Sequence, residues 1–337
     1  KGMKMTLKKG IAVSLISMFI VLIAVIIYLF QPSGKVTDFK AWQSNVDVPH
    51  QGLTVRFFGV STLLFDDGQD QILIDGFFTR PDLWHVLSSQ ISGDLPLLVQ
   101  LKRQYKLHRT QAIFVTHSHY DHALDIPHLS ELLPQAKIVG SRTTLNIARA
   151  NNDIAESQLI LAQPKQSIQI GQFKVTPIPS AHTPPTAVND DLGKELTAPL
   201  QLPAKFSAFT EGGSFDYLIE HDDEKILVKA STGFIPNQLD GLKVDTLFLG
   251  IAQLSKQDQN YQNHYLAESL QKLQPKVVIP IHWDNFFKPL NQPLEFLPNF
   301  ADQSPQSLRK LINVAEQQNS KVVLLTQPVA YPLQQHD

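Results

Sequence analysis

The chain has 337 residues, a formal net charge of −2, 43% hydrophobic residues and 18% charged residues. This composition is typical of a globular protein, and the absence of a basic excess gives no indication of nucleic-acid binding. Cysteine is absent. A disulfide framework, thiolate metal ligands and a cysteine nucleophile are therefore excluded.

An unbroken apolar run from Ile11 to Phe30 follows a basic N-terminus that contains Lys4, Lys8 and Lys9. A run of about 20 apolar residues can cross a bilayer as a helix. The positive-inside rule predicts that residues 1–10 are cytoplasmic and that the chain after residue 30 is extracytoplasmic, periplasmic in a Gram-negative bacterium. The alternative is a cleaved signal peptide, but the run is long for one and no small-x-small cleavage site follows it. We expect a single-pass anchor over residues 11–30.

Residues 31–50 are polar, carry Pro32, Gly34 and Pro49, and are predicted to form a linker or arm, in which Phe39 and Trp42 lie at the membrane interface or pack on the domain. Residues 51–337 can form one domain. Apolar and alternating patterns predict strands at 53–58, 61–65, 71–75, 111–115, 137–140, twice within 167–178, and at 214–220, 225–229, 244–250, 276–281 and 321–325. Helices are predicted within 76–110 and at 124–133, 141–150, 262–273 and 304–318. This order predicts an α/β fold with sheets covered by helices.

The segment Thr116-His117-Ser118-His119-Tyr120-Asp121-His122 holds three histidines and a carboxylate within six positions, directly after a predicted buried strand. We expect the helix that follows to begin after His122. Imidazoles this close together repel one another when protonated, and burying imidazoles or carboxylates is costly when they are unpaired. A divalent metal resolves both problems. The alternative is a polar loop that is merely rich in histidine, but the H-x-H-x-D-H spacing favours a metal site.

Other predicted strands also end in polar residues: Asp75, His182, Ser231 and His282. Asp75 could be a turn cap, or it could be the hydrogen-bond partner of a metal-bound imidazole. Residues 183–213 form a long loop with several prolines. Loops of this length are usually functional, so the loop is predicted to be a substrate-facing lid, with a disordered excursion as the alternative.

The H-x-H-x-D-H loop, followed in order by His182, the Thr232-Gly233 turn and His282, resembles the metallo-β-lactamase superfamily over residues 51–326. The resemblance implies a four-layer αββα sandwich with a metal site at one edge of its two sheets. It also implies two sets of metal ligands. The first set is His117, His119 and His182, and the second is Asp121, His122 and His282. Ligands of N and O type suit zinc first, with manganese or iron possible.

The segments Phe58-Gly59-Val60-Ser61-Thr62 and Ile279-Pro280-Ile281-His282-Trp283 look like the lactonase and N-acyl-phosphatidylethanolamine phospholipase D-like branch. Many superfamily members bridge their two metals with an Asp at the position of Ser231. A neutral hydroxyl is a poor bridging ligand, so we expect a weak second metal or a single one. The branch often has a His near the site at the position of His264, which gives that residue a possible role toward substrate.

The resemblance implies a membrane-anchored hydrolase that uses metal-bound hydroxide on an ester, lactone or phosphodiester. In this reading Asp121 orients the hydroxide and transfers a proton. The partners would be a small or lipid-like substrate and the membrane. One alternative is a β-lactamase. Another is a catalytically weak or inactive metal-binding or scaffold protein of the same fold.

Overall fold

Two seven-stranded sheets face each other in the computed structural model, which describes residues 2–44, 52–186 and 190–333. Residues 45–50 of the predicted linker and 187–189 of the predicted lid lie outside this range. The first sheet, in spatial order, contains β16 (Tyr331–Pro332), β2 (Thr54–Phe57), β3 (Leu63–Asp66), β4 (Gln71–Ile74), β5 (Thr110–Phe114), β6 (Lys137–Gly140) and β7 (Leu159–Leu161). The second contains β14 (Lys321–Val322), β13 (Val277–Ile281), β12 (Thr246–Gly250), β11 (Glu224–Lys229), β10 (Ser214–His221), β9 (Phe173–Ser180) and β8 (Ile168–Ile170). A further pair joins β1 (Gln43–Ser44) to β15 (Leu324–Leu325).

The helices are short apart from the first. They are α1 (Gly2–Phe30), α2 (Leu83–Ser88), α3 (Leu95–Gln104), α4 (Tyr120–Ala123), α5 (Ile126–Leu132), α6 (Arg142–Ala148), α7 (Gln259–Leu266) and α8 (Ser304–Gln317). A π-helical turn, Ala267–Gln271, extends α7. Side chains of Asp94, Ser141 and Asp258 accept backbone N–H groups at the starts of α3, α6 and α7, which fixes where these helices begin. Asp258 therefore starts α7 three residues before the helix predicted at 262–273.

The main core lies between the two sheets. The Phe65 and Phe248 rings meet edge-on at 5.6 Å, and the Phe114 and Tyr217 rings do so at 5.4 Å, in each case from opposite sheets. A second apolar cluster includes Leu98 of α3, together with residues of α5 and α6, and covers the outer face of the first sheet. Helices α7 and α8 pack beside the second sheet. These layers confirm the predicted αββα arrangement, because each sheet has one face toward the other sheet and one toward helices.

Parallel pairing brings the polar strand ends together. Strands β4 to β7 run parallel to one another in the first sheet, and β11 to β14 do so in the second. Asp75 and the histidine loop follow β4 and β5, while Ser231 and His282 follow β11 and β13. Because parallel strands end at the same edge of a sheet, all of these residues reach one edge of the sandwich.

Helix α1 contains the apolar run Ile11–Phe30, with a mean hydropathy of 2.9 and no burial against the rest of the chain. Its length and composition allow it to cross a membrane. A signal sequence near an N-terminus meets the same criteria, so the helix by itself does not distinguish an anchor from a signal.

The C-terminal end of α1 is capped by the domain. The backbone N–H of Phe300 donates to the Leu29 carbonyl at 3.0 Å, and the Asn299 side-chain amide donates to the Tyr28 carbonyl at 2.9 Å. The Phe30 and Phe300 rings lie 5.1 Å apart. The last carbonyls of a helix have no partner within the helix, so these bonds attach α1 directly to the domain.

The segment after α1 also packs on the domain. Residues Val36–Trp42 form a 3-10 helix whose Phe39 is 1% exposed. The Phe39 ring lies 5.6 Å from Phe296 and 4.8 Å from the Arg309 guanidinium. The described part of the predicted linker, up to residue 44, is therefore folded against the domain rather than extended from it.

We predict that Phe39→Ala lowers the free energy of unfolding of the full chain by about 3–5 kcal/mol, the usual cost of removing a buried phenylalanine ring. Denaturant unfolding in detergent measures this. The control is Lys40→Ala, because Lys40 is exposed and should change stability by less than about 0.5 kcal/mol. Equal effects of the two substitutions would show that residues 31–44 are only a tether.

Candidate metal centre

The histidine loop begins as extended chain and ends as helix. Helix α4 begins at Tyr120, and the His119 carbonyl accepts the backbone N–H of His122 at 3.0 Å. The prediction that the helix starts after His122 was therefore wrong. The reason is that the His119 carbonyl closes a helical turn within the motif itself. Asp121 and His122 consequently lie on a helix, whereas His117 and His119 lie on the preceding loop.

This change of conformation divides the motif between two clusters. His117, His119 and His182 offer ligand atoms that all lie within 4.8 Å of one another, and the same holds for Asp121, His122 and His282. The ring centroids of His117 and His122 are 3.8 Å apart, so the clusters are adjacent. Strand ends from both sheets thus assemble the six residues into two groups of three.

Three of the histidines have one ring nitrogen fixed by an oxygen. His122 donates from Nδ1 to Oδ2 of Asp75 at 2.8 Å, and His119 donates from Nε2 to Oδ1 of Asp191 at 3.0 Å. The Nδ1 of His182 lies 3.1 Å from the Thr183 carbonyl. Such bonds select the tautomer in which the other nitrogen carries a lone pair for a metal.

Asp75 is a fully buried carboxylate at the end of β4, with a left-handed backbone (φ 55°). Besides His122, it accepts the backbone N–H of Thr116 at 2.7 Å and the Ser61 hydroxyl at 2.5 Å. Of the two roles that the sequence left open for Asp75, the structure shows the contact with an imidazole, and a metal on that imidazole stays a prediction. The residue holds the start of the histidine loop and also orients one of its imidazoles.

Two nitrogens of the second cluster are buried and have no hydrogen-bond partner among the described residues. They are Nε2 of His122 and Nδ1 of His282. The Nε2 atoms of both histidines are the ones near the Asp121 carboxylate, so the unpaired Nε2 of His122 lies within the cluster and indicates a place for one more atom there. Neutral imidazoles and an ionised carboxylate are the donor set expected for a divalent transition metal.

The electrostatics of the site suit a cation. Burial and the neighbouring His122 lower the pKa of His117 well below its ordinary value, and burial with His119 lowers the pKa of His182 to about 3. Burial acts to raise the pKa of Asp121, but His122 and His282 outweigh it, so this pKa is lowered. His117 and His182 are therefore neutral and Asp121 is ionised at neutral pH, as metal ligands must be.

His122 differs from the other two. Burial acts to lower its pKa, but the carboxylates of Asp121 and Asp75 outweigh burial and raise the pKa. The Asp121 carboxylate lies 3.7 Å from Nε2 of His122 and 3.4 Å from Nε2 of His282. Two carboxylates around one imidazole thus favour positive charge at the second cluster.

The Ser231 turn contacts the His182 loop directly. A Cβ atom at Gly233 would lie 2.1 Å from the His182 carbonyl oxygen, so only glycine allows this approach. The Thr183 and Thr232 hydroxyls lie 2.9 Å apart. Ser231 is buried at this turn and brings no carboxylate to either cluster.

His264 is exposed on α7. Its neighbour Tyr261 instead donates its hydroxyl to the Thr232 carbonyl at 3.0 Å, and the Tyr265 hydroxyl donates to the Gly250 carbonyl at 2.6 Å and lies 3.4 Å from the Ser231 carbonyl. The structure does not bring His264 into either of the two clusters, and a role toward substrate stays a prediction.

The long segment after His182 is folded over its described residues. Leu200 donates its N–H to the Asn146 carbonyl at 3.0 Å, Ala204 pairs with Ile91, and Phe209 is 1% exposed. This segment delivers Asp191 to His119, a contact that the sequence did not reveal because the two residues are 72 positions apart. A single carboxylate in a polar loop has no sequence pattern that would identify it as the partner of His119.

A family model described as a beta-lactamase superfamily domain matches residues 70–283. The chain belongs to the metallo-β-lactamase superfamily. It is similar to a UPF0173 metal-dependent hydrolase of Staphylococcus carnosus (strain TM300), with 21% identity over 273 residues that cover 79% of this chain and 95% of the relative. This finding confirms the resemblance at the level of the superfamily, while the lactonase-like branch stays a prediction.

Solved structures show the same fold. A possible metal-dependent hydrolase from Veillonella parvula DSM 2008 aligns with a TM-score of 0.50 at 12% identity, covering 84% of this chain and 99% of that one. CmlA, a diiron β-hydroxylase from Streptomyces venezuelae, aligns with a TM-score of 0.52 at 12% identity, covering 84% of this chain and 54% of that one. These neighbours confirm the fold class.

We predict that Asp191→Ala weakens metal binding at the first cluster by about 10- to 100-fold, because His119 loses the carboxylate that orients its ring. Zinc titration of chelator-treated protein against a competing chelator measures this. The matched control is Asp190→Ala, which removes the same charge from the exposed neighbouring residue. If the two variants bind zinc equally well, Asp191 does not support the ligand.

Proposed function

We propose that the chain is a membrane-anchored, metal-dependent hydrolase. Membership of the superfamily supports metal-dependent hydrolysis in general, and helix α1 supports the anchor. The observation that carries the proposal is the pair of adjacent clusters, one of which includes the buried, unpartnered Nε2 of His122.

In this proposal each of the two clusters would hold one metal ion. His117, His119 and His182 would hold the first ion, and Asp121, His122 and His282 would hold the second. A bound ion would act as a Lewis acid and make hydroxide available near neutral pH.

Asp121 is the group that would orient the attacking water. Its side chain is 12% exposed, and its lowered pKa keeps it ionised, so it would accept a hydrogen bond from a water molecule rather than hold a proton. The hydrogen bonds of the histidines to Asp75, Asp191 and the Thr183 carbonyl would hold the imidazole rings in place during the reaction. We propose zinc as the metal, with manganese or iron as alternatives, because the ligands are nitrogen and oxygen only.

Aromatic side chains beside the metal centre support an apolar substrate group. The Phe286 ring lies 5.9 Å from His282 and 6.4 Å from Tyr120, and Phe206 lies 6.1 Å from Tyr120. All three are partly exposed, and Phe206 comes from the segment predicted to be a lid. Esters, lactones and phosphodiesters with an apolar or lipid-like part would fit such a wall, so these classes form the proposed substrate range.

A second candidate is a metal-binding or scaffold protein without turnover. Ser231 favours it, because the turn brings no bridging carboxylate to hold a second ion. The presence of all six proposed ligands in two compact groups opposes it. A β-lactamase is a further alternative within the same fold.

We predict that His119→Ala abolishes hydrolysis and removes metal from the first cluster while the fold remains intact. Assays across esters, lactones, phosphodiesters and β-lactams, with metal analysis and circular dichroism, measure this. The control His108→Ala, at an exposed position on the 3-10 turn Leu107–Arg109, should leave activity unchanged. Wild-type protein that has met no chelator and holds no transition metal would contradict the proposal.

We predict that the chain stays in the membrane fraction after an alkaline wash and that residues after α1 face outward. Because the chain contains no cysteine, Lys40→Cys provides one labelling site in an exposed position. A membrane-impermeant maleimide should label this variant in intact cells or, in a Gram-negative host, in spheroplasts. Labelling that appears only after lysis would show the opposite orientation, and release by the wash would exclude the anchor.

A further inference from the structure

A buried ion pair lies behind the loop that carries His282. Arg80 donates from Nη2 to Oδ2 of Asp284, and the two residues are 4% and 0% exposed. The Nε and Nη1 atoms of Arg80 have no acceptor among the described residues, so Asp284 is the side chain to which this guanidinium donates. Burying two charges is costly. An ion pair at this position therefore suggests that it fixes the position of the neighbouring backbone.

Asp284 holds two backbone segments together through Val60. Its Oδ1 accepts the Val60 N–H at 2.7 Å, and the Val60 carbonyl accepts the His282 N–H at 2.6 Å. Val60 and His282 both have left-handed backbones, with φ of 52° and 54°. This conformation is unfavourable for residues other than glycine, above all for a β-branched one, and persists only where its surroundings enforce it.

The ion pair packs directly against the same turn. A Cβ atom at Gly59 would lie 2.5 Å from Oδ2 of Asp284 and 2.8 Å from Nη1 of Arg80. Ser61, two residues after Gly59, places its hydroxyl 2.9 Å from Nδ1 of His122. The same hydroxyl donates to the Asp75 carboxylate. The turn at 59–61 therefore contacts both histidines of the second cluster.

The first cluster has other supports. His119 is oriented by Asp191 and His182 by the Thr183 carbonyl, both on the chain that follows β9. Both clusters share Asp75 through the histidine loop, but the contacts of Arg80 run through Asp284 and Val60 to His282 of the second cluster, so a change at Arg80 acts first on that cluster.

We propose that Arg80 is a positioning residue for the second metal. Through Asp284 and Val60 it enforces the strained backbone that places His282, and it thereby sets the affinity of the second cluster but not of the first. This inference rests on the proposed function, in which the clusters hold metal. It also bears on Ser231, because a cluster without a bridging carboxylate depends on how accurately its three ligands are placed.

The test is a Co²⁺ titration of the chelator-treated full chain in detergent, followed by visible absorption and equilibrium dialysis. Wild type should bind two equivalents. Arg80→Met should bind the first as wild type does and the second about 10- to 100-fold more weakly, the usual effect of losing an outer partner of a ligand. The control Arg109→Met removes the arginine of the Arg109–Asp66 pair, which lies away from both clusters, and should change neither affinity.

Arg80→Lys tests the same point if Arg80→Met does not fold, because lysine keeps a positive charge beside Asp284. This variant should lose less Co²⁺ affinity than Arg80→Met, and it should do so at the second site only. Equal weakening of both sites, or two sites of unchanged affinity, would overturn the inference and leave the proposed function standing. A wild type that binds one equivalent of Co²⁺, with the same affinity after the substitution His282→Ala, would also overturn the inference. A wild type that binds no metal would overturn the proposed function itself.

Discussion

The burial of the Asp75 carboxylate is the constraint on which the metal centre depends. A charge removed from water must have its hydrogen bonds supplied by the protein. Thr116, Ser61 and His122 supply them, and each belongs to a different part of the site. Because the carboxylate cannot release these partners without a large cost, it fixes the histidine loop, the turn at 59–61 and the orientation of one imidazole together.

This constraint explains why the clusters can be assembled before a metal arrives. His117 and His182 are kept neutral by burial, whereas His122 is held between two carboxylates that favour a positive charge. A bound cation would meet the same two carboxylates at the second cluster, so both clusters are suited electrostatically to a metal.

Much of the site could be predicted from the sequence because its ligands follow strands. The histidine loop, His182 and His282 each come directly after an apolar run, and parallel strands end at one edge. The supporting contacts could not be predicted in this way. Arg80 and Asp284 are 204 positions apart, and neither lies in a pattern that links them. Such contacts depend on loop conformations, including the left-handed Val60, which no periodicity records.

The junction between α1 and the domain could be predicted only in part. A polar segment with proline and glycine is typical of a linker, and the sequence left Phe39 and Trp42 either at the membrane interface or on the domain; in the structure both pack on the domain. The contact reaches toward the metal centre, because Phe296 lies 5.6 Å from Phe39 and 5.4 Å from Trp283, the residue after His282. The chain from 282 to 300 thus joins a proposed ligand to the cap of α1.

In the proposed two-ion site, Ser231 would change the charge of the centre as well as the affinity of the second cluster. Two divalent ions would face three nearby carboxylates, those of Asp121, Asp75 and Asp191. These three carboxylates and one hydroxide would balance the charge of the two ions, whereas a bridging Asp would add a fourth carboxylate and leave an excess negative charge. Serine would thus avoid a negative charge where the site has to stabilise the one that develops when hydroxide attacks an ester or a phosphodiester. A weaker second site and a better stabilised anionic transition state would then have the same cause, and the contacts that place His282 would decide how firmly the second ion is held.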